Sequence, residues 1–98
     1  MDLKAYAGMN YVYLLRCNDG SLYCGWTTDL EKRLAQHNRG LGAKYTRSRL
    51  PVALVYSEAY ADRHKALSRE WYIKRMSREA KMRLIHTGSA GNPCPCSE

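Results

Sequence analysis

The chain has 98 residues, the size of one small domain with a thin hydrophobic core. Hydrophobic residues make up 45% of it and charged residues 26%, as in an ordinary globular protein, and no apolar run approaches the ~20 residues of a membrane-spanning helix. The formal net charge of +7 favours a polyanionic partner, with nucleic acid first and an anionic membrane surface second, over a basic but inert surface.

The two ends of the chain are predicted to lie outside the folded domain. The opening MDLKAYAGMNYVYLL has too short an apolar run and no small-residue cleavage site for a secretory signal, so we expect a cytoplasmic protein. Residues 1–8 are interpreted as an N-terminal extension, residues 9–86 as the domain and residues 87–98 as a disordered tail. Cys94 and Cys96 could alternatively join His86 in a zinc site, although their spacing is shorter than structural zinc sites use.

The first two segments are predicted to form a β-hairpin. Residues 9–17, MNYVYLLRC, and residues 21–27, SLYCGWT, are rich in β-branched and aromatic side chains. The residues between them, Asn18 to Gly20, tolerate the positive φ that a tight turn needs. Gly25, inside the second strand, indicates a bulge or a close approach of another group to the backbone.

A helix is predicted next, over residues 27–40, TTDLEKRLAQHNRG. Thr28 and Glu31 have the spacing of a capping box. Asp29 complements the positive end of the helix dipole, and Gly40 is a natural C-terminal stop.

The rest of the chain completes an α+β pattern. Residues 40–51 are interpreted as a basic loop, residues 51–60 as a third strand that starts with proline, and residues 61–76 and 77–85 as two helices, the second capped by Ser77. The order strand–strand–helix–strand–helix–helix predicts a three-stranded antiparallel sheet flanked by about three helices.

Two polar side chains of the first helix fall on its core-facing half. At ~100° per residue, Arg33 and His37 lie on the same side as Leu30 and Leu34. Arg33 could simply extend its charged end to water over a buried stem, and His37 could be a hydrogen-bonded boundary residue. Alternatively, both face a site.

The second long helix carries a carboxylate in the same kind of position. Glu70 falls inside a stripe that also holds Ala66, Leu67, Trp71 and Ile73. A carboxylate is rarely buried unless it is paired or bound to a cation. Lys74 or Arg63 could neutralise Glu70, or Glu70 could face a pocket and hold a metal. Together with Arg33, His37 and several tyrosines on one sheet face, it would suit chemistry on a phosphate.

The tripeptides Val12-Tyr13-Leu14 and Tyr23-Cys24-Gly25 are followed along the chain by Thr27, Asp29, Arg33, His37 and Glu70. In this order, and on these elements, they resemble the pattern of the GIY-YIG nuclease superfamily. The resemblance covers residues 10–85 and is closest to the small single-domain bacterial members. It implies the same α+β fold.

The resemblance also implies roles for five residues. Arg33 would bind the scissile phosphate and Glu70 would hold one divalent cation, Mg²⁺ or Mn²⁺. Tyr13 and Tyr23 would position or deprotonate the attacking water, with His37 assisting in proton transfer or hydrogen bonding.

The same resemblance implies a metal-dependent endonuclease that hydrolyses DNA in repair or recombination. RNA as the substrate and a protein partner that supplies specificity stay open. A non-catalytic nucleic-acid-binding module and, third, a protein-interaction domain are the alternatives. Besides the catalytic groups, the residues expected to contact the substrate are Gly25, Lys44, Tyr45, Thr46 and Arg47.

The sequence departs from the family pattern at four positions. Val12 stands where the first motif has Gly, Leu14 where it has Ile, and Cys24 where the second has Ile. These are packing positions, so the motif tyrosines stay usable. Many members also carry an Asn after the metal-binding Glu, whereas Asn92 is the only Asn after Glu70 here.

Overall fold

A computed structural model describes residues 8–88 as a three-stranded antiparallel sheet in the order β2-β1-β3 with four helices. The predicted α+β class is confirmed. Residues 1–7, most of the predicted extension, and residues 89–98, with Cys94 and Cys96, lie outside the described residues. The elements are β1 (Asn10–Arg16), β2 (Leu22–Thr27), α1 (Leu30–Asn38), α2 (Lys44–Arg47), β3 (Ala53–Tyr60), α3 (Arg63–Lys74) and α4 (Arg78–Gly88).

The predicted hairpin is confirmed. The amide of Cys17 donates to the carbonyl of Ser21 at 2.8 Å, and Gly20 takes φ +86° in the turn. In the resulting register Tyr13 lies directly opposite Gly25. The irregularity in the sheet lies not at Gly25 but in the β1–β3 pairing, between Leu14 and Leu15.

Alternation along the central strand β1 divides the core into two layers. Val12 and Leu14 pack with Ala66 and Ile73 of α3 on one face of the sheet. Tyr13 and Leu15 belong to the other face, where the leucines of α1 pack. The two motif tyrosines therefore face α1, and α3 lies behind the sheet.

The start of α1 differs from the predicted capping box. Asp29 is the N-cap, and its side chain accepts a hydrogen bond from the Lys32 amide at 3.1 Å. The hydroxyl of Thr27 in turn accepts a hydrogen bond from the Asp29 amide. These two bonds place the cap one residue later than Thr28, because Asp29 is the residue with extended backbone angles. The end is as predicted, since Gly40 follows the C-cap with φ +80°.

The predicted loop over residues 40–51 contains a helical turn, α2, so the count is four helices rather than three. The amide of Arg47 donates to the Ala43 carbonyl, and the hydroxyl of Thr46 donates to the same carbonyl. Thr46 is fully buried, which fixes this turn against the rest of the domain.

Other boundaries are shifted by one to three residues, and hydrogen bonds accompany two of these shifts. Strand β3 begins at Ala53 rather than Pro51, because the Asn38 side chain of α1 bonds both the amide and the carbonyl of Val52. Helix α4 continues to Gly88, past the predicted domain end at residue 86, with the Thr87 hydroxyl bonded to the Arg83 carbonyl.

A buried carboxylate joins β3 to α3. Glu58 is 1% exposed and accepts bonds from Arg69 Nε at 2.9 Å, from the Tyr60 hydroxyl at 2.6 Å and from the Tyr56 hydroxyl. Burial raises the pKa of Glu58, but these hydrogen bonds outweigh it and hold the pKa below its usual value. Over residues 8–88, none of the helices has both the length and the apolar character needed to cross a membrane.

Candidate active site

A chain of hydrogen bonds crosses from the sheet to α1 and on to α2. The Tyr13 hydroxyl lies 3.0 Å from His37 Nε2, and His37 Nδ1 lies 2.8 Å from the Thr46 hydroxyl. His37 and Thr46 are fully buried, and Tyr13 is nearly so. The two ring nitrogens of His37 are thus both engaged inside the protein.

The partners of Thr46 indicate which nitrogen of His37 carries the hydrogen. The single hydroxyl hydrogen of Thr46 is donated to the Ala43 carbonyl at 3.0 Å. Thr46 must therefore accept from His37, which assigns the hydrogen to Nδ1 and leaves Nε2 as an acceptor. Tyr13 then donates its phenolic hydrogen to Nε2.

Two glycines make room for this chain. A Cβ atom at Gly25 would lie 2.6 Å from the Tyr13 hydroxyl oxygen, and one at Gly42 would overlap the His37 ring. Any side chain at either position would displace Tyr13 or His37. The close approach predicted at Gly25 is confirmed for the Tyr13 hydroxyl.

Arg33 lies beside the same phenol. Its stem lines a gap without room for water, together with Tyr13, Leu30 and Leu34, while its guanidinium donates to Gln36 at 3.2 Å. The stem is therefore packed in the core, and the charged end emerges next to the Tyr13 hydroxyl.

Burial and the Arg33 charge shift the pKa values of both titratable groups. Burial raises the pKa of Tyr13, and hydrogen bonding and charge from Arg33 oppose that rise. Burial lowers the pKa of His37, and the positive charge of Arg33 lowers it further. His37 is therefore neutral at physiological pH, as its acceptor role requires.

Aromatic contacts join Tyr23, the tyrosine of the second motif, to the cluster of Tyr13, Arg33 and His37. The Tyr23 ring meets the His37 ring edge-on at 5.3 Å and stacks on the Tyr45 ring at 5.9 Å. The guanidinium of Arg49 lies 3.9 Å from the centre of the Tyr45 ring. Arg49 also forms an ion pair with Asp19. Four of the five predicted catalytic residues, Tyr13, Tyr23, Arg33 and His37, are thus brought together.

Two open grooves flank the cluster. One, of about 520 Å³, follows the end of β2 and the start of α1 and includes Arg33. The other, which we call the α2 groove, has a volume of about 570 Å³ and is lined by Lys44, Tyr45, Arg47, Ser48 and Arg49. Three cations line the second groove, which suits a phosphate backbone. Of the predicted substrate contacts, Lys44, Tyr45 and Arg47 line it, whereas Thr46 is buried against His37.

The fifth predicted catalytic residue lies elsewhere. Glu70 is on α3, behind the sheet, so the expectation that the carboxylate shares one sheet face with the other groups is wrong. Its carboxylate pairs with Lys74 at 3.4 Å, and its backbone carbonyl lies 3.9 Å from Cys24 Sγ on the edge strand β2. A helical period assigns Glu70 to an inner stripe but does not say which face of the sheet its helix covers.

At Glu70 the protein offers a metal ion one carboxylate ligand, so other ligands would have to come from the substrate or water. Among residues 8–88 there is no cluster of three or more His, Cys, Asp or Glu side chains able to hold an ion. Mg²⁺ is commonly held by one or two carboxylates, with substrate phosphates and waters completing its shell. A single carboxylate at the edge of the sheet fits that mode and does not fit a metal ligated only by protein.

Gly42 is a site residue that was not predicted from the sequence. Gly42 lies in the segment interpreted as loop, and only the position of the His37 ring shows why a side chain is excluded there. The only sign of this in the sequence is that two glycines, Gly40 and Gly42, follow the helix closely. Cys24, although inside the second motif, is inert, because burial raises the pKa of its thiol to about 12.

Comparison with known proteins agrees with this geometry. Residues 9–83 match the family described as the GIY-YIG catalytic domain. The chain is 57% identical over 81 residues to the UPF0213 protein CPE1444 of Clostridium perfringens, covering 83% of this chain and 87% of that protein. It is 52% identical over 80 residues to a UPF0213 protein of Haloquadratum walsbyi, covering 82% and 90%.

Solved structures give the same answer. The solution NMR structure of the UPF0213 protein BH0048 from Bacillus halodurans has a TM-score of 0.57 and 41% identity, covering 85% of this chain and 88% of that one. The EF2693 protein of E. faecalis, also solved by NMR, has the same TM-score and identity, covering 81% and 84%. Fold, motif geometry and sequence similarity therefore agree that the chain belongs to the GIY-YIG family, a family of nuclease domains that act on nucleic acid.

Proposed function

We propose that the protein is a divalent-metal-dependent endonuclease that hydrolyses phosphodiester bonds in DNA. The observation that carries the proposal is the hydrogen-bonded chain Tyr13–His37–Thr46, with Arg33 beside the phenol. A buried phenol that donates to a neutral imidazole can pass its proton to that imidazole as it accepts one from water, and an adjacent guanidinium matches a phosphate.

The proton transfers follow from the assigned hydrogens. As the Tyr13 oxygen takes a proton from the attacking water, its own proton passes to His37 Nε2 in the same step, so no free phenolate is formed. The water oxygen adds to phosphorus as the bond to the leaving oxygen breaks. The leaving oxygen takes a proton from solvent, and His37 returns its proton to solvent through the Tyr13 hydroxyl, which restores the starting state. Arg33 stabilises the charge that builds on the phosphate oxygens. Thr46 keeps the Nδ1 proton in place, so that Nε2 stays the accepting nitrogen.

Glu70 is the proposed metal ligand, with Mg²⁺ or Mn²⁺ as the ion. When bound, such an ion supplies charge neutralisation at the phosphate. Because Glu70 lies beside the edge strand β2, the substrate would pass over that edge to contact both Glu70 and Arg33. The ion pair with Lys74 would open on binding. The cytoplasm, and a role in DNA repair or recombination, are part of the proposal through the family resemblance.

Nicking of supercoiled plasmid tests the proposal. We expect nicking with Mg²⁺ or Mn²⁺ and none with a chelator. Arg33→Ala and Glu70→Ala should each reduce the rate by about 10²–10³, as expected for loss of one charge-stabilising group. Arg39→Ala is the matched control, because it removes the same charge from the exposed end of the same helix. Near-wild-type rates for Arg33→Ala and Glu70→Ala would reject the mechanism.

A non-catalytic nucleic-acid-binding module is the second candidate. The Glu70–Lys74 ion pair favours it, because a carboxylate already neutralised within its own helix needs no metal. Plasmid retention that is sensitive to salt but independent of metal, with no nicking by the wild-type protein, would establish this alternative.

A further inference from the structure

The outer side of α3 exposes two large aromatic rings next to each other. Trp71 and Tyr72 have 55% and 61% of their surface exposed, and their rings meet edge-on at 5.4 Å. The buried side of the same helix is formed by Ala66 and Ile73, so neither ring is needed for the core. Adjacent exposed rings of this size are a common mark of a binding surface.

Positive charge accompanies the rings. The guanidinium of Arg75 lies 4.5 Å from the Trp71 ring centre, and the exposed ammonium of Lys74 belongs to the same turn. We call Trp71, Tyr72 and Arg75 the α3 aromatic patch. A purely apolar partner would have to desolvate these cations, whereas a nucleic acid offers a flat ring to the indole and a phosphate to the guanidinium.

We propose that the α3 aromatic patch binds single-stranded DNA by stacking an unpaired base on Trp71, with Arg75 contacting the adjacent phosphate. In duplex DNA both faces of each base are already stacked, so the ring of Trp71 selects for unpaired bases. The charge of +7 on the whole chain supports a polyanionic occupant over a second copy of the same cationic protein.

The position of the patch relates it to the proposed active site. Trp71 directly follows Glu70 on α3, and Lys74 pairs with Glu70 one turn further on. A strand whose phosphate reaches Glu70 can therefore place a neighbouring base on Trp71. This inference rests on the nucleic-acid partner of the proposed function and deepens it by naming the unpaired strand as substrate.

Fluorescence offers a direct test, because Trp26 and Trp71 are the two tryptophans of the chain. In Trp26→Phe, the remaining signal comes from Trp71. Titration with a twelve-nucleotide oligothymidylate, in chelator so that no cleavage occurs, should quench this signal. A blunt duplex of equal length should leave it nearly unchanged at equal occupancy.

Affinity measurements on the otherwise wild-type chain give the second readout. Trp71→Ala should weaken oligothymidylate binding by about 5- to 150-fold, the range measured for loss of one stacked base. Trp71→Phe, which keeps a ring, should bind within a few-fold of wild type. Leu41→Ala, which removes a 68%-exposed apolar side chain from another surface, is the control and should leave affinity unchanged.

The outcomes separate this proposal from the nuclease proposal. Metal-dependent nicking together with unchanged oligothymidylate affinity in Trp71→Ala would overturn the patch and leave the nuclease intact. Trp71-dependent binding without any nicking would keep the patch and reject the nuclease. A dimer that Trp71→Ala dissociates, with no effect on oligothymidylate binding, would identify the patch as a self-association surface and overturn the proposal.

Discussion

At the scale of single residues, the chemistry depends on one imidazole whose two nitrogens have different partners. A buried histidine with free choice of tautomer would place its hydrogen on either nitrogen. Thr46 removes that choice, since its own hydrogen is committed to the Ala43 carbonyl. The residue that sets the proton-accepting nitrogen of His37 is therefore a threonine on a four-residue helix, not a neighbour in the motifs.

Thr46→Val tests this role. The isosteric change removes the acceptor for the Nδ1 hydrogen and leaves a buried N–H group unpaired, which should lower the free energy of unfolding by about 1–3 kcal/mol. The tautomer should then become mixed, and nicking should slow. Thr46→Ser keeps the hydroxyl and should retain both the tautomer and most of the rate. Nitrogen-15 NMR of the histidine ring reads the tautomer directly. An Nδ1–H tautomer unchanged in Thr46→Val would contradict the assignment.

At the scale of elements, β3 and α3 are joined by a carboxylate that lies under the helix. Glu58 cannot reach water and depends on Arg69 for its neutralisation. The helix that carries both Glu70 and the α3 aromatic patch is therefore positioned by this ion pair as well as by apolar packing.

Arg69→Met should remove the compensating charge while keeping most of the packing volume. Loss of one partner of a buried pair costs about 3–5 kcal/mol, and the lower end applies because Arg69 keeps 27% of its side chain exposed. Urea unfolding at neutral pH measures the change. Arg83→Met, on the exposed side of α4, is the control and should stay within about 0.5 kcal/mol of wild type.

The same pair predicts the sign of the acid dependence. Because the folded-state pKa of Glu58 lies below its ordinary value of 4.5, the unfolded chain binds its proton first as pH falls. The stability that Glu58 contributes is therefore complete above about pH 4.5 and is lost below it. In Arg69→Met the pKa of Glu58 should be lowered less, so the difference in unfolding free energy between the variant and the wild type should shrink in acid. An equal difference at pH 7 and pH 3 would contradict this account.

The sequence was most informative about elements that have a strong local signal. The hairpin was predictable from its turn residues, and Arg33 and His37 could be assigned to the inner face of α1 from the helical period. Helix α2 was missed, because four residues are too short to show a period and its stabilising contact, Thr46 to His37, is tertiary. Glu70 was assigned to an inner stripe correctly, but its side of the sheet depends on a connection that periodicity does not encode.

At the scale of the whole molecule, two separate regions combine positive charge with aromatic surface, one richer in cations and the other richer in exposed rings. The α2 groove offers Lys44, Arg47 and Arg49, while the α3 aromatic patch offers two exposed rings with Arg75. Phosphate contacts weaken with salt because they release counterions, whereas stacking responds little to salt. The two regions should therefore be separable by salt titration.

With about five phosphate contacts, the slope of log affinity against log salt should be near −4.5 on duplex DNA and near −3.5 on a single strand. Replacing both Lys44 and Arg47 with Ala should reduce the single-strand slope by about 1.4, because two contacts are lost. Trp71→Ala should lower the affinity at every salt concentration and leave the slope unchanged. A change of slope in Trp71→Ala would mean that loss of the ring also removes a phosphate contact, such as that of Arg75. If the double alanine variant of Lys44 and Arg47 keeps the wild-type salt slope, the phosphate backbone of the substrate does not contact the α2 groove.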